Sequence, residues 1–502
     1  MTTQKRAPSP TNLQEQIEEI IDGLRRDVES RIDEWIDVRS AVGFRDFEVE
    51  VAALLRCIGD GIAEMVLREI LADEEFVRRC SSTARKALQV RGGGMREVRV
   101  RLLGGTSVEV SAPYMKVDRR RRPGPRRKSG RRGPNGSGLY PALAALGISF
   151  GVTPALAGEI ARQVTDSDSV RAGRAALARR GIDLGHKQTL RILNLFGERA
   201  VEYRYEWLGR MFDADLPQSG PLSGKRVVVS VDGGRIRERV PKQGRRSRRT
   251  GHHRYDAPWR EPKLFTIYTI DEKGKVDKTF RPIIDGTMED CDATFAMLVA
   301  YLRGLGCHKA KHLELVGDGA LWIWGRVDSL VEFVGISVDR VTEVIDWYHA
   351  LEALGEVAKV PSWSNSEEQR WLKKAKARLF AGDIEGLMRL FDEIAVGRRA
   401  GKINKLRPYF RDNAQRMNYR SAKKAKLPLG SGAVESAIRR VINLRMKGCG
   451  TFWLQQHAQA MILFRSYLKT DRFDELFDWL ITQHASWSPD QPTLRSPIVE
   501  QS

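Results

Sequence analysis

The run Val227-Val-Val-Ser-Val231, followed by Asp232-Gly-Gly, constrains this chain more than any other stretch. β-branched residues in an unbroken apolar run form a strand buried on both faces, as in the middle of an α/β sheet. Such a strand delivers its last residue to the open end of the sheet. Asp232 at that end has two readings, a turn former with Gly233 or a metal ligand. The choice depends on whether the rest of the chain supplies partners.

At 502 residues the chain has room for roughly two to four domains. The formal net charge of +21 points to a polyanionic partner, nucleic acid before membrane. Residues 1–80 run against this trend, with 18 acidic and 11 basic side chains, so the cationic surface belongs to the remainder. Cys57, Cys80, Cys291, Cys307 and Cys449 form no CxxC pair. That argues against a zinc ribbon or disulfide framework and fits a reducing cytosol. The opening Met-Thr-Thr-Gln-Lys-Arg lacks an apolar stretch, so no signal peptide is expected. The uncharged stretch 139–158 is broken by prolines and glycines and is expected to be packed helices, not a membrane span.

Apolar residues at helical spacing (Leu13, Ile17, Ile20, Ile21; Val51, Leu54, Leu55) predict two or three helices over 12–80. Over 96–117 the period switches to two around Gly104-Gly105, which predicts a β-hairpin. Residues 1–115 thus read as an N-terminal helical region with a β-hairpin, whose helices over 12–80 are first a packing or oligomerisation module. Residues 116–138 read as a flexible basic linker. In it Arg119, Arg120, Arg121, Arg122, Arg126 and Arg127 are either simply solvated or placed to contact phosphates, and the basic chain favours the second. Residues 139–210 read as helices with a glycine-bounded turn at 181–185. That outline fits a helix-turn-helix DNA-binding unit and also a plain helical hairpin. In the first case Arg174, Arg179, Arg180, Lys187 and Arg191 face phosphates.

From Arg226 the order of elements becomes informative. Strands are predicted over 226–232, 263–270 and 278–284. The first two are separated by a basic loop with Arg245, Arg246, Arg248 and Arg249. A helix over 288–305 leads to a fourth strand, 312–316, which ends at Gly317-Asp318-Gly319. A Trp-rich helix over 320–331 leads to a fifth strand, 341–345, which ends at Asp346. Three sequential strands followed by helix, strand, helix, strand is the order of an RNase H-like mixed sheet. In that order strands one and four are neighbours, and Asp232 lies beside Asp318.

Two carboxylates a few ångströms apart repel each other and hold protons unless a cation neutralises them. Oxygen ligands without a thiolate select Mg²⁺ or Mn²⁺. A third carboxylate lets a site hold two ions, the clamp that stabilises attacking and leaving oxygens in phosphoryl transfer. The candidate is Glu435, in Gly430-Ser-Gly-Ala-Val-Glu435, where the chain breaks and a helix begins. Arg439, Arg445 and Lys447 follow as DNA-contacting candidates. A helix-dipole or capping role for Glu435 is the alternative. Asp346 and His349, one turn apart, are auxiliary candidates that assist the metal, hold a DNA strand or serve the fold. Trp322, Trp324 and Trp347 are read first as core, second as base-stacking residues.

Ser230-Val-Asp232-Gly-Gly, Val316-Gly-Asp318-Gly-Ala-Leu-Trp-Ile, Asp346-Trp-Tyr-His349-Ala-Leu-Glu352 and Gly430-Ser-Gly-Ala-Val-Glu435-Ser occur in that order, followed by Arg445-Met-Lys447-Gly-Cys-Gly-Thr-Phe-Trp453. Together they resemble a DDE-type bacterial insertion-sequence transposase of the mutator-like or ISKra-like group. The Asp346-x-x-His349 spacing is similar to the Cys/Asp-x-x-His element of mutator-like transposases. The resemblance covers 226–465. It implies a metal-binding catalytic triad of Asp232, Asp318 and Glu435 that holds two ions. It implies attack by water and then by a 3′-hydroxyl on DNA phosphodiesters. It further implies terminal inverted repeats and target DNA as partners, a dimer or higher assembly on DNA, and a bacterial cytosolic location.

The expected architecture is α/β, with an RNase H-like core at 222–360 and 428–470. An all-helical insertion at 361–427 interrupts it, as a DNA clamp or a lid. A C-terminal helix and disordered tail occupy 471–502. The double glycine after Asp232 is expected to leave room for a phosphate backbone. Two rivals stay open: a structure-selective DNA nuclease with the same core, and a DNA-binding repressor with an inactive core.

Overall fold

The computed structural model describes residues 10–36, 40–87, 90–117, 138–248, 251 and 253–484. The chain divides into two compact units, residues 1–199 with 474–495 and residues 200–473 with 496–502. The expected basic linker lies almost wholly outside the described residues, and the C-terminal tail lies wholly outside them.

In the first unit, α1 (Pro10–Ile36), α2 (Ala41–Ala72) and α3 (Glu74–Ala87) precede a hairpin of β1 (Val90–Arg101) and β2 (Ser107–Val117), extended by β3 (Gly138–Leu139). Its turn is fastened by the buried carboxylate of Asp60, which accepts from the N–H groups of Gly104 (2.8 Å) and Thr106 (2.9 Å). A Cβ at 104 would lie 2.6 Å from Asp60 Oδ2, so the turn requires glycine there. Helices α4 (Pro141–Ala145), α5 (Pro154–Asp166), α6 (Val170–Ala178) and α7 (His186–Asp213) follow, and the unit boundary falls within α7. Two of the arginines expected to face phosphates are engaged within the unit. Arg174 Nε donates to the Leu184 carbonyl (2.7 Å), and Arg180 pairs with Glu159. Arg179, Lys187 and Arg191 are exposed.

The second unit is built on a five-stranded mixed sheet. β4 (Arg226–Gly233) is the valine strand, buried from Val227 to Val231. The short strands β5 (Ile236–Arg237), β6 (Val240–Pro241), β7 (Tyr255–Asp256) and β8 (Trp259–Arg260) fold back as a ribbon, β5 on β8 and β6 on β7. Then come β9 (Lys263–Ile270), β10 (Ile283–Thr287), α8 (Cys291–Gly304), β11 (His312–Gly317), α9 (Leu321–Trp324), α10 (Val327–Val334) and β12 (Val341–Ile345). The strand order is β10-β9-β4-β11-β12. β11 runs parallel to β4 and β12, and the other pairs are antiparallel.

Two expected elements differ from the sequence reading. The third core strand starts at Ile283, not at 278. Asp277 accepts from the Thr279 N–H (2.9 Å) in a local turn, and Pro282 has no N–H to give a ladder. The Trp-rich segment forms two helices, interrupted at Gly325 and Arg326.

After β12, α11 (Trp347–Ala358) leads into α12 (Asn365–Ala381), α13 (Ile384–Ile394), α14 (Ala400–Asp412) and α15 (Tyr419–Lys424). This helical stretch carries Trp371, Leu387, Phe391 and Phe410 into one apolar core with the sheet. Trp324 is buried in that core, and Trp347 packs edge-on against Tyr419 at 4.7 Å between ring centroids. The Trp324 ring is buried with Arg416 over it and is closed to base stacking, while Trp347 is half-buried. The chain returns through α16 (Gly432–Ile438), a π-turn over Arg439–Asn443, α17 (Leu444–Met446) and α18 (Gln455–Leu468). α16 packs on β4 and β9, and α18 packs on β10. A buried ion pair joins α7 to β10: Arg204 Nη1 and Tyr301 Oη donate to the two oxygens of Asp285, each at 2.8 Å. Removing one partner of such a pair costs about 3–5 kcal/mol. The last helix, α19 (Phe473–His484), belongs almost wholly to the first unit, where Phe477 packs on Phe196. Among the described residues no helix is long and apolar enough to cross a membrane.

Candidate active site

Asp232 stands at the C-terminal end of β4, and Asp318 directly follows β11. The two strands are parallel neighbours with Gly317 paired to Val231, so Asp318 and Asp232 emerge level with one another. Glu435 projects from the first turn of α16, which packs on β4. Each carboxylate has one oxygen tied locally. Asp232 Oδ1 accepts from the Gly233 N–H (2.6 Å), Asp318 Oδ1 from the Ala320 N–H (2.9 Å) and Glu435 Oε1 from the Ser431 hydroxyl (3.1 Å). Among the described residues the second oxygen of each has no hydrogen-bond or ion-pair partner. Burial pushes the Asp232 carboxyl up to about 6. The charges of Asp318 and Glu435 add to that, while the Gly233 N–H and His349 oppose it. Asp232 and Asp318 are half-buried and Glu435 is exposed; their charges reach one another, though the three do not all offer atoms within 4.8 Å, and together they leave this end of the sheet short of positive charge. The donors are all oxygen, the set that suits a hard divalent cation.

The tightest ligand-type grouping among the described residues is a different one. Asp346, His349 and Glu435 each offer an atom, and these atoms lie within 4.8 Å of one another. Asp346 is fully buried and caps α11: its Oδ1 accepts from the N–H groups of Tyr348 (2.6 Å) and His349 (3.0 Å) and lies 3.4 Å from His349 Nδ1. Its Oδ2 accepts from the Ser431 hydroxyl (2.7 Å) and the Ser431 N–H. Burial alone would raise this carboxyl. The His349 and Ser431 contacts outweigh burial and hold it well below the usual carboxylate range. Asp346 in turn pushes His349 up to about 9 against the opposing effect of burial. Asp346, whose two oxygens are taken by these donors, holds the site from behind, and the free oxygens belong to Asp232, Asp318 and Glu435.

The glycines after Asp232 lie against side chains from other segments. A Cβ on Gly233 would lie 2.1 Å from the Glu261 carboxylate, and one on Gly234 would lie 2.5 Å from Ile442. Ile442 belongs to the π-turn, so Gly234 seats that turn beside the site. π-turns free backbone carbonyls. Here buried Arg465 of α18 donates to the carbonyls of Val441 (2.8 Å) and Arg440.

The cationic candidates separate into three groups. Arg245, Arg246, Arg248, Arg439 and Lys447 are exposed. Arg445 is only 7% exposed and lies over the Trp453 ring at 5.2 Å. Arg119, Arg120, Arg121, Arg122, Arg126, Arg127 and Arg249 lie outside the described residues. Sequence reasoning passed over Ser431 because Gly-Ser-Gly reads as a chain break. The available signal was a hydroxyl four residues ahead of a carboxylate at a helix start. Arg465 carried no local signal, since its partners are backbone carbonyls about 25 residues away.

Comparison of the chain with protein-family models and with curated proteins finds no match.

Proposed function

We propose that this protein is a DNA transposase with an RNase H-like core that cuts and joins DNA with divalent metal ions. One observation carries the reading. The parallel neighbours β4 and β11 bring Asp232 and Asp318 level at one end of the sheet, Glu435 on α16 is near enough for its charge to raise Asp232, and each carboxylate keeps a free oxygen. Asp232, Asp318 and Glu435 would hold two ions, Mg²⁺ or Mn²⁺. Such ions supply Lewis acidity to the attacking and leaving oxygens of a phosphodiester. The rest of the work falls to the chain's own residues. Asp346, through Ser431, orients Glu435. The His349 charge offsets the crowding of carboxylates. Exposed arginines draw in and align the DNA. Catalysis is then mostly positioning and charge stabilisation. The same reading implies terminal inverted repeats and target DNA as partners, more than one copy of the chain on DNA, and a bacterial cytosolic setting.

The test uses full-length protein, labelled terminal-repeat DNA, a target duplex and Mg²⁺. Joined strand-transfer products are expected. Asp232→Ala, Asp318→Ala and Glu435→Ala should each abolish them while DNA binding persists. Hydrolysis without joining would turn the reading into a nuclease. Full biological activity in Asp232→Ala would turn it into a repressor with an inactive core.

A further inference from the structure

We infer that the outer face of the ribbon β5–β8 is a rail for the phosphodiester backbone of a DNA strand beside the carboxylate site. This deepens the function proposed above and rests on it for the choice of DNA.

Arg235, Arg237 and Arg239 recur at the period of a strand, and all three are exposed. Their neighbours turn inward. Ile236 is fully buried against Leu264, Ile438, Val441 and Ile442, and Glu238 is buried and accepts from Arg260 Nε at 2.5 Å. On the outer face each guanidinium lies over an aromatic ring. Arg235 and Arg237 sit 5.2 Å and 4.9 Å from the centre of Trp259, and Arg239 sits 4.5 Å from that of Tyr255. The rings are themselves open, Trp259 44% and Tyr255 39% exposed. Among the described residues no carboxylate pairs with these three arginines, whereas the neighbouring Arg260 and Lys242 are paired with Glu238 and Asp256.

A free arginine loses side-chain entropy when it grips an anion. Stacking on a ring removes part of that loss beforehand and leaves the N–H edges outward. Along a strand, positions two apart are about 6.8 Å apart in the backbone. Three unpaired cations on one face repel one another and suit a polymer with repeated negative charge, not a single small anion.

The rail is also fixed in place relative to the chemistry. It begins three residues after Asp232. Its backbone is bolted to Trp453, whose carbonyl accepts from the Arg239 N–H (2.7 Å) and whose N–H donates to the Arg237 carbonyl (3.0 Å). Ile236 packs against the helix that carries Glu435. A strand lying on the rail therefore begins close to Asp232 and lies over the packing of the helix that carries Glu435. Past Arg239 the chain continues into the exposed Arg245, Arg246 and Arg248.

The experiment measures binding of full-length protein to duplex DNA by fluorescence anisotropy across a KCl series. EDTA is present, so the result stands whether or not the protein cuts DNA. The triple variant R235Q/R237Q/R239Q is expected to lower the slope of log K against log salt by about 2–3, near 0.9 for each lost phosphate contact, and to weaken binding roughly 10–100-fold. The double variant Y255L/W259L keeps all the charges. It should keep the slope and weaken binding several-fold, because pre-organisation is lost. If the triple variant folds poorly, the single Arg237→Gln should still lower the slope by about 1. An unchanged slope in the folded triple or single variant overturns the rail. Displacement of DNA by poly-glutamate at equal charge concentration overturns the DNA assignment in favour of an acidic protein. A normal rail with no metal-dependent cleavage overturns the proposed function and leaves the rail standing.

Discussion

The buried carboxylate of Asp346 holds the Ser431 hydroxyl at 2.7 Å and so ties the end of β12 to the start of the helix that carries Glu435. The same hydroxyl lies 3.1 Å from Glu435 Oε1. Its single proton serves one carboxylate at a time, and because the Ser431 N–H already holds Asp346 Oδ2, the hydroxyl is free to turn to Glu435. Glu435 is therefore positioned through a serine held from behind, while its own second oxygen stays open.

Ser431→Ala tests this arrangement. The backbone N–H of residue 431 still reaches Asp346, so the fold survives with a loss of about 1 kcal/mol. Misorientation of Glu435 should lower the cleavage rate roughly 10–100-fold with DNA affinity unchanged. Equal rates for variant and wild type would remove the positioning role.

Asp232 titrates at about 6, above its ordinary 3.8. A raised carboxyl favours the folded state in its protonated form. In metal-free protein its contribution is complete below about pH 4 and is lost as the pH rises through about 6. Asp232→Asn removes that loss. It should raise the melting temperature of the metal-free protein at neutral pH by about 2–4 °C, on the order of 1 kcal/mol for a unit of this size, while abolishing cleavage. Calorimetry with and without Mg²⁺ at several pH values checks it. Divalent-ion affinity of the wild type should also fall as the pH drops below about 6.

Glu314 sits in the middle of β11, fully buried, and neither carboxylate oxygen has a hydrogen-bond partner among the described residues. Burial pushes it up to about 9, with Arg226 only partly opposing. The folded protein keeps a proton that the unfolded chain releases. Stability from this group is complete below about pH 4.5 and declines as the pH rises toward 9. Glu314→Gln should narrow the stability gap between about pH 5 and about pH 8 by on the order of 3 kcal/mol. Urea unfolding at the two pH values reads it, and parallel pH profiles for variant and wild type would contradict it.

Arg445 and Lys447 make a contrasting pair two residues apart. Arg445→Ala should destabilise the fold by about 2 kcal/mol, through lost packing on Trp453, and leave the salt slope of DNA binding alone. Lys447→Ala should leave stability within about 0.5 kcal/mol and lower the slope by about 1 if the exposed ammonium meets a phosphate. Thermal melts and salt titrations on both variants separate the two roles.

Much of the core was legible because local rules govern it. A valine run can only be a buried strand, and the alternation of strands and helices orders the sheet so that Asp232 meets Asp318. The third core strand was misjudged because Asp277 and Pro282 act through a turn and a missing N–H, which periodicity does not register. The neighbours of the double glycine, Glu261 and Ile442, are not legible in the sequence because both come from other segments of the chain.

The sequence by itself determined the mixed α/β core, the carboxylates at its strand ends and the cationic character of the chain, since these follow from side-chain shape and charge along short stretches. Only the tertiary structure decided which charges remain available. It saturated Asp346 with four donors, buried Arg445 on Trp453 and left Arg235, Arg237 and Arg239 stacked in the open. The physical reason is that a polar group's role depends on which partners reach it, and those partners come from segments far apart in the chain.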